Sequence, residues 1–318
     1  MSHQIDSLPV FLGVVLVLPS CSFPACISVL VVSSNAVIEV RGLPRWLYPG
    51  HVVGGWPVHT VCPHSSSPES NSLLSPVTET SLSLGFELRD IMASFLSLAE
   101  IPTVGRLFQA KQLAPVTTPF APSKTLNNTI SIIRNDITKL KIDCIVNAAN
   151  ESLLGGGGVD GAIHRAAGPG LVRECDGLDG CDTGDAKITS AYELPCKSVI
   201  HTVGPIYEFE YRKDSCRPEQ LLRSCYRRSL EVAVANDMRS IAFAAISTGV
   251  YGYPSGQAAK AVLDETRKFL EMPSNIGKLE RVIFCNFEER DMEAYKALTP
   301  VYFPPTPEDL AEAKDSDI

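Results

Sequence analysis

The first 110 residues contain no lysine and only four arginines, Arg41, Arg45, Arg89 and Arg106. Every lysine lies from Lys111 onward, so composition alone sets a boundary in the first third of the chain. No Lys or Arg precedes the charge-free run Leu8 to Val32, which Pro9, Pro19 and Pro24 interrupt. The run has the ~20 residues that a membrane span needs. Its prolines and missing basic flanks argue against both a span and a signal sequence. Secretion or anchoring through residues 8–32 is therefore not expected. The ten cysteines include no CxxC pair and no Cys/His spacing of a zinc site, so neither a metal nor a cofactor is expected. Cys144 and Cys285 sit in apolar runs and read as buried, reduced thiols, which favours a cytoplasmic or nuclear location. The chain also lacks a basic excess. Its formal net charge of −8 excludes general phosphate-backbone binding, and with it a nucleic-acid partner. A small anionic ligand stays open, because backbone dipoles bind one without Lys or Arg.

Residues 1–91 carry no period and no recognisable chemistry, and 65–85 are rich in Ser, Thr and Pro. They read as a low-order region. Met92 is only the second methionine, and the expectation is that the native product begins there. Ala93 to Pro102 reads as an amphipathic helix or surface packing, and 103–126 as a connector along the surface. A domain over 127–300 and a tail over 301–318 complete the expected organisation, with a monomer as the expected state.

From residue 127 the text alternates. Thr129–Arg134, Ile142–Asn147, Ser198–Val203, Ser240–Ile246 and Arg281–Phe287 read as strands. Helices are expected from Val159, over Pro218–Asn236, over Ser255–Leu270 with Ser255 as cap, and over Glu288–Leu298. Such alternation implies a mainly parallel sheet with helices on both faces and a ligand beyond the C-terminal strand ends.

Two loops fall on that edge. One is Asn147-Ala148-Ala149-Asn150 followed by Gly155 to Gly158, Val159 and Asp160; the other is Ser247-Thr248-Gly249-Val250-Tyr251. The glycine run is not a P-loop, because no Gly-Lys-Ser/Thr follows it. It is not a dinucleotide fingerprint either, since it opens the second strand–helix unit. A strand, glycine loop and helix bring backbone N–H groups against a phosphate. Asp160 is a helix-start carboxylate or an acid beside the bound anion, where backbone donors should keep it ionised as a base. His164, one turn on, is packed or orients water. His201 reads as core. Asn147 and Asn150 shape the loop, or Asn150 recognises a hydroxyl. Asp136 caps a turn before Thr138 or accepts from an amino group on the ligand. Tyr251 and Phe287 are placed to pack on a sugar or base.

At Asp136-Ile137-Thr138, Val146 to Gly170, Gly180 to Thr189, Val199 to Pro205 and Ser247 to Pro254 the chain resembles the macrodomains, specifically the MacroD-type branch of ADP-ribosyl-acceptor hydrolases. The resemblance implies a three-layer α/β/α fold with a central mixed, mostly parallel sheet, preceded here by the poorly structured N-terminal region. It implies that Asp136 receives the adenine amino group beside Ile137, and that Phe287 packs on the adenine. Gly156, Gly157, Gly158 and Val159 with the loop Ser247, Thr248, Gly249, Val250 and Tyr251 would wrap a diphosphate. Asn150 and Asp160 would address the distal ribose, and a water between diphosphate and Asp160 would attack. The implied partners are ADP-ribose, mono-ADP-ribosylated proteins and O-acetyl-ADP-ribose; the alternative is a non-catalytic reader of ADP-ribose. The family has Gly before the adenine-binding Asp, whereas Asn135 stands here, a residue that tolerates positive φ.

Overall fold

The computed structural model describes residues 95–311 and, ahead of them, the backbone of three strands: β1 (Val14–Pro19), β2 (Ile27–Ser33) and β3 (Ala36–Leu43). These three form an antiparallel sheet in a unit of their own. The expected start at Met92 and the linker at 65–85 lie outside the described residues. Among the described residues no helix is long and apolar enough to cross a membrane.

The second unit is built on a six-stranded sheet. Its strands are β5 (Ile130–Arg134), β7 (Cys144–Ala149), β8 (Ala186–Ser190), β9 (Ser198–Val203), β10 (Ser240–Phe243) and β11 (Arg281–Asn286). They run in the order β5-β11-β10-β7-β9-β8, all parallel except β8 against β9. Two short strands, β4 (Leu96–Ser97) and β6 (Leu140–Lys141), pair separately. β10 is buried at all four residues, as an unbroken apolar run covered on both faces must be. The helices are α1 (Val104–Gln109), α2 (Lys124–Thr129), α3 (Gly158–Ala167), α4 (Pro169–Asp176), α5 (Tyr207–Lys213), α6 (Arg217–Ala235), α7 (Ser255–Glu271), α8 (Glu289–Tyr302) and α9 (Pro307–Leu310).

The side chains divide into two apolar clusters, one for each face of the sheet. On one face Tyr226 of α6 stacks on Phe243 at 4.6 Å, and Tyr295 of α8 meets Phe284 at 4.9 Å. Burial of each such ring is worth roughly 1.5–3 kcal/mol, so these pairs clamp both helices to the central strands. On the other face Ile163, Ala167, Leu171 and Cys175 bring α3 and α4 down onto Ile145, Val199 and Val203. Gly168 (φ 75°) ends α3 and Pro169 opens α4, so the chain turns where only glycine is unstrained.

Several expected boundaries shift. The segment before Pro102 is not an amphipathic helix but β4 and one 3-10 turn, Leu98–Glu100. The expected connector holds α1, capped by Thr103, with Val104, Leu107 and Phe108 in the core. The described part of the expected tail, 301–311, is packed as well: α8 runs on to Tyr302, Phe303 is buried, and Asp309 accepts from Lys124, Asn127 and Thr306. Ser255 does not cap α7. Pro254 holds that position, and the Ser255 hydroxyl donates to Asp291 at 2.5 Å.

Candidate active site at the C-terminal edge of the sheet

Four neighbouring parallel strands deliver the predicted residues to one edge. Asp136 follows β5, Phe287 follows β11, the loop from Ser247 lies beyond β10, and Asn150 follows β7. Strands lie about 4.8 Å apart, so β5 and β7 are separated by about 14 Å along the edge. That is the scale of an extended nucleotide diphosphate.

The middle of the edge is a cleft of about 290 Å³ between the two loops, floored by Ala148, Gly204 and Ile246. Asn150, Gly156, Gly157, Gly158, Val159 and Asp160 form one wall; Ser247, Gly249, Val250 and Tyr251 form the other. The N–H groups of Gly156 to Asp160 and of Thr248 to Tyr251 donate to nothing within the described protein. A helix start and a turn thus aim two sets of free donors into one space, which is an anion site by construction. Close approach needs the glycines. A Cβ on Gly161 would lie 2.4 Å from the Gly156 carbonyl, and one on Gly156 would press on Asp160 and Asn150 at 3.1 and 3.2 Å. Ser247 holds a left-handed backbone (φ 66°), a strain for a non-glycine residue, and its buried hydroxyl has no partner. Thr248 is fixed from behind by Asp291 and by Arg290 on its carbonyl. A larger hollow of about 450 Å³ opens at the opposite edge, around Arg106, Lys124 and Arg281, and none of the predicted residues lines it.

Asp160 is 4% exposed. Burial pushes its carboxyl above the ordinary range, against the hydrogen bond from Asn147 and the nearby His164. Its Oδ1 is held by the Asn147 amide at 2.7 Å rather than by a backbone donor, and burial is the larger influence on its carboxyl. A carboxylate so shifted is a stronger base once deprotonated. His164 Nε2 lies 3.4 Å from Asp160 Oδ1 without making a hydrogen bond. Tyr251 faces the same space, its phenol raised by burial, Glu151 and Asp160.

Asn150 spends both ends of its amide on the loop: it donates to the Gly155 carbonyl at 2.9 Å and accepts from Ser152 N and Oγ. Asn147 lies within β7, fully buried beneath the cleft rather than lining it, because the strand runs two residues beyond its expected end. Asp136 caps the 3-10 turn Ile137–Lys139, accepting from Thr138 N and Oγ1 at 3.0 and 2.7 Å; Ile137 is buried beside it. Phe287 is 72% exposed on the next strand end. Asn135 is not among the positive-φ residues, so its turn is made in an ordinary conformation, with its Oδ1 accepting from Asp136 N.

His201 is fully buried in β9, as the core reading expects, but its hydrogen-bond partners were not foreseen. The β7–β9 register sets His201 opposite Asn147, and that pairing was the available signal. His164, Cys175 and His201 bring three potential ligand atoms within 4.8 Å of one another. Both His201 nitrogens are already engaged, by Asn147 at 3.1 Å and Thr189 at 2.9 Å, so hydrogen bonding within the protein accounts for the cluster.

Comparison with known proteins agrees with this geometry. The Macro domain family model matches residues 146–262. The chain is 49% identical over 210 residues to ADP-ribose glycohydrolase MACROD1 of Bos taurus, covering 66% of this chain and 63% of that protein. It is 52% identical over 170 residues to the macro domain-containing protein CT2219 of Chlorobaculum tepidum, covering 54% of this chain and 95% of that one. Among solved structures, the Trypanosoma brucei macrodomain in complex with ADP-ribose superposes with a TM-score of 0.55 at 40% identity, covering 65% of this chain and 77% of the other. The chain belongs to the macrodomain family. It spans less than two thirds of the length of the bovine relative.

Proposed function

We propose that the protein is a hydrolase that removes mono-ADP-ribose from modified Asp and Glu side chains, and that the same site deacetylates O-acetyl-ADP-ribose. The observation that carries this reading is Asp160, a buried carboxylate at the start of α3, directly beside two sets of unpaired backbone donors. The donors hold the diphosphate. Asp136 and Phe287 take the adenine, three and two strand positions away from β7 respectively. The distal ribose then falls between Asn150, Asp160 and Tyr251. A water held between the diphosphate and Asp160 and oriented by His164 attacks, and Asp160 accepts its proton. The bond from the ribose to the protein breaks with the Asp or Glu carboxylate as leaving group, or the acetyl ester breaks to acetate with the ribose oxygen leaving as a hydroxyl. Support for the ligand comes from the relatives named as ADP-ribose glycohydrolases and from a macrodomain structure holding ADP-ribose.

The test is release of labelled ADP-ribose from an auto-modified ADP-ribosyltransferase by wild type and Asp160→Ala. Release by wild type alone is expected. Equal release by both proteins would sink the role of Asp160, and tight ADP-ribose binding without turnover would replace the reading by that of a non-catalytic reader.

A further inference from the structure

The Asp160 carboxylate is held by Asn147, and Asn147 is itself held by a buried chain that never reaches the cleft. Asn147 and His201 are fully buried, and Thr189 is nearly so. The Asn147 Nδ2 donates one hydrogen to Asp160 Oδ1 at 2.7 Å and faces His201 Nδ1 with the other at 3.1 Å. A reversed amide would set its oxygen against the carboxylate, so the donor end must face Asp160. An NH₂ group only donates. His201 Nδ1 must therefore be an acceptor, and the neutral ring carries its proton on Nε2. That proton faces Thr189 Oγ1 at 2.9 Å, with Cys175 Sγ at 3.6 Å, and the Thr189 hydroxyl donates onward to the Val199 carbonyl at 3.4 Å. Every link has one polarity.

We infer that His201 is a positioning residue: as an obligate acceptor at Nδ1 it locks the Asn147 amide with its N–H toward Asp160, and so sets the orientation and basicity of that carboxylate. This rests on the reading of Asp160 as general base. Burial pushes the His201 imidazole down to about 3, with His164 nearby adding to the shift, so the ring stays neutral over the working range. A protonated ring would present Nδ1–H to the amide and turn the Asn147 oxygen onto Asp160. The other groups that face Asp160 are His164 on its own helix, Cys175 on α4, and Tyr251 of the opposite loop, with Glu151 close by.

Two measurements on the intact chain test this. Nitrogen NMR of the wild-type histidines should find His201 unprotonated at Nδ1 and protonated at Nε2; an Nδ1–H tautomer overturns the proposal. In His201→Phe, which keeps a ring and loses the acceptor, carbon NMR should show the Asp160 carboxyl titrating at higher pH. The kcat should fall by about 10- to 100-fold, as for one hydrogen bond to a charged group, with KM within about 2-fold. His201→Gln, which offers a carbonyl acceptor, should recover part of the loss. An unmoved Asp160 titration, or a loss confined to KM, also overturns it. Failure of wild type to turn over any ADP-ribosyl substrate would instead sink the hydrolase reading. The two NMR results still decide the role of His201 in that case, and the tautomer result needs no variant to fold.

Discussion

Between the ends of β7 and β10 the ligand-facing surface is backbone: free N–H groups, glycines, and one buried carboxylate beneath them. Between the ends of β5 and β11 it is side chain: the Asp136 carboxylate on its own turn and an exposed Phe287 ring. The first region has almost no freedom. A single Cβ at Gly161 meets a carbonyl, and the Asn150 amide is tied to the loop it shapes. The second is open and built from single contacts. Backbone donors cannot be mutated away but are easily displaced by added atoms; side-chain contacts are lost one at a time. The inner region is suited to hold charge and do chemistry, and the outer one to select which nucleotide enters.

That contrast predicts effects of different kind and size. The largest is expected at Asp160. Asp160→Ala should lower turnover by about 10²- to 10⁴-fold, the range for a lost general base, with ADP-ribose affinity by calorimetry changed by less than about 3-fold. Turnover should also fall as pH drops through the Asp160 titration. Burial raises that carboxyl, so the acid limb should lie above the ordinary carboxylate value of about 3.9. An acid limb at or below that value breaks the assignment. Next is Gly161→Ala, which forces the helix start away from the Gly156 carbonyl. It should cost about 1–3 kcal/mol of stability, as overpacking does, and weaken ADP-ribose binding and turnover together. An intact affinity would mean that the glycine loop is not the phosphate cradle. Smaller again is Phe287→Ala. One stacking contact of an exposed ring is worth about 0.5–1.5 kcal/mol, so affinity should fall about 2- to 10-fold with turnover at saturation unchanged.

The sheet order was not readable from the sequence, but five of its six strands were, because each is a short, largely apolar run with a turn signal after it; the edge strand β8, Ala-Lys-Ile-Thr-Ser, is too mixed to give that signal and was missed. Ser198–Val203 falls on β9 without any shift. The loops were legible for the same reason: glycine marks close approach, and Asp160 opening a helix marks an anion-facing start. What failed was local propensity where tertiary packing decided. The prolines of the expected connector and tail mark turns, yet Phe108 and Phe303 beside them bury fully enough to fix α1 and the end of α8 in the core. Ser255 has the composition of a cap, but Asp291 on α8 takes its hydroxyl. His201 lies in the core as expected, but its partners were not legible. An apolar strand hides a histidine's partners until the strand register is known, and only the β7–β9 pairing sets it against Asn147.

The smallest expected effect separates stability from chemistry within the inner region. Asp160→Asn keeps a carbonyl to accept from Asn147 and removes the buried charge. The folded-state carboxyl is raised above its unfolded value, so the protonated form favours folding. Its stabilising effect is complete below the unfolded pKa and is lost as pH rises through the folded one. At pH 7 the wild type therefore bears the desolvation of an ionised Asp160, and the amide variant does not. Asp160→Asn should melt higher at pH 7 by about 2–4 °C, the shift for about 1 kcal/mol in a domain of this size, while losing turnover. The gap should narrow as pH is lowered through the folded-state titration of Asp160, which burial raises above the ordinary carboxylate range. A variant that is less stable at pH 7 would mean that the Asn147 bond and His164 outweigh burial, and that the carboxylate stabilises the fold rather than straining it.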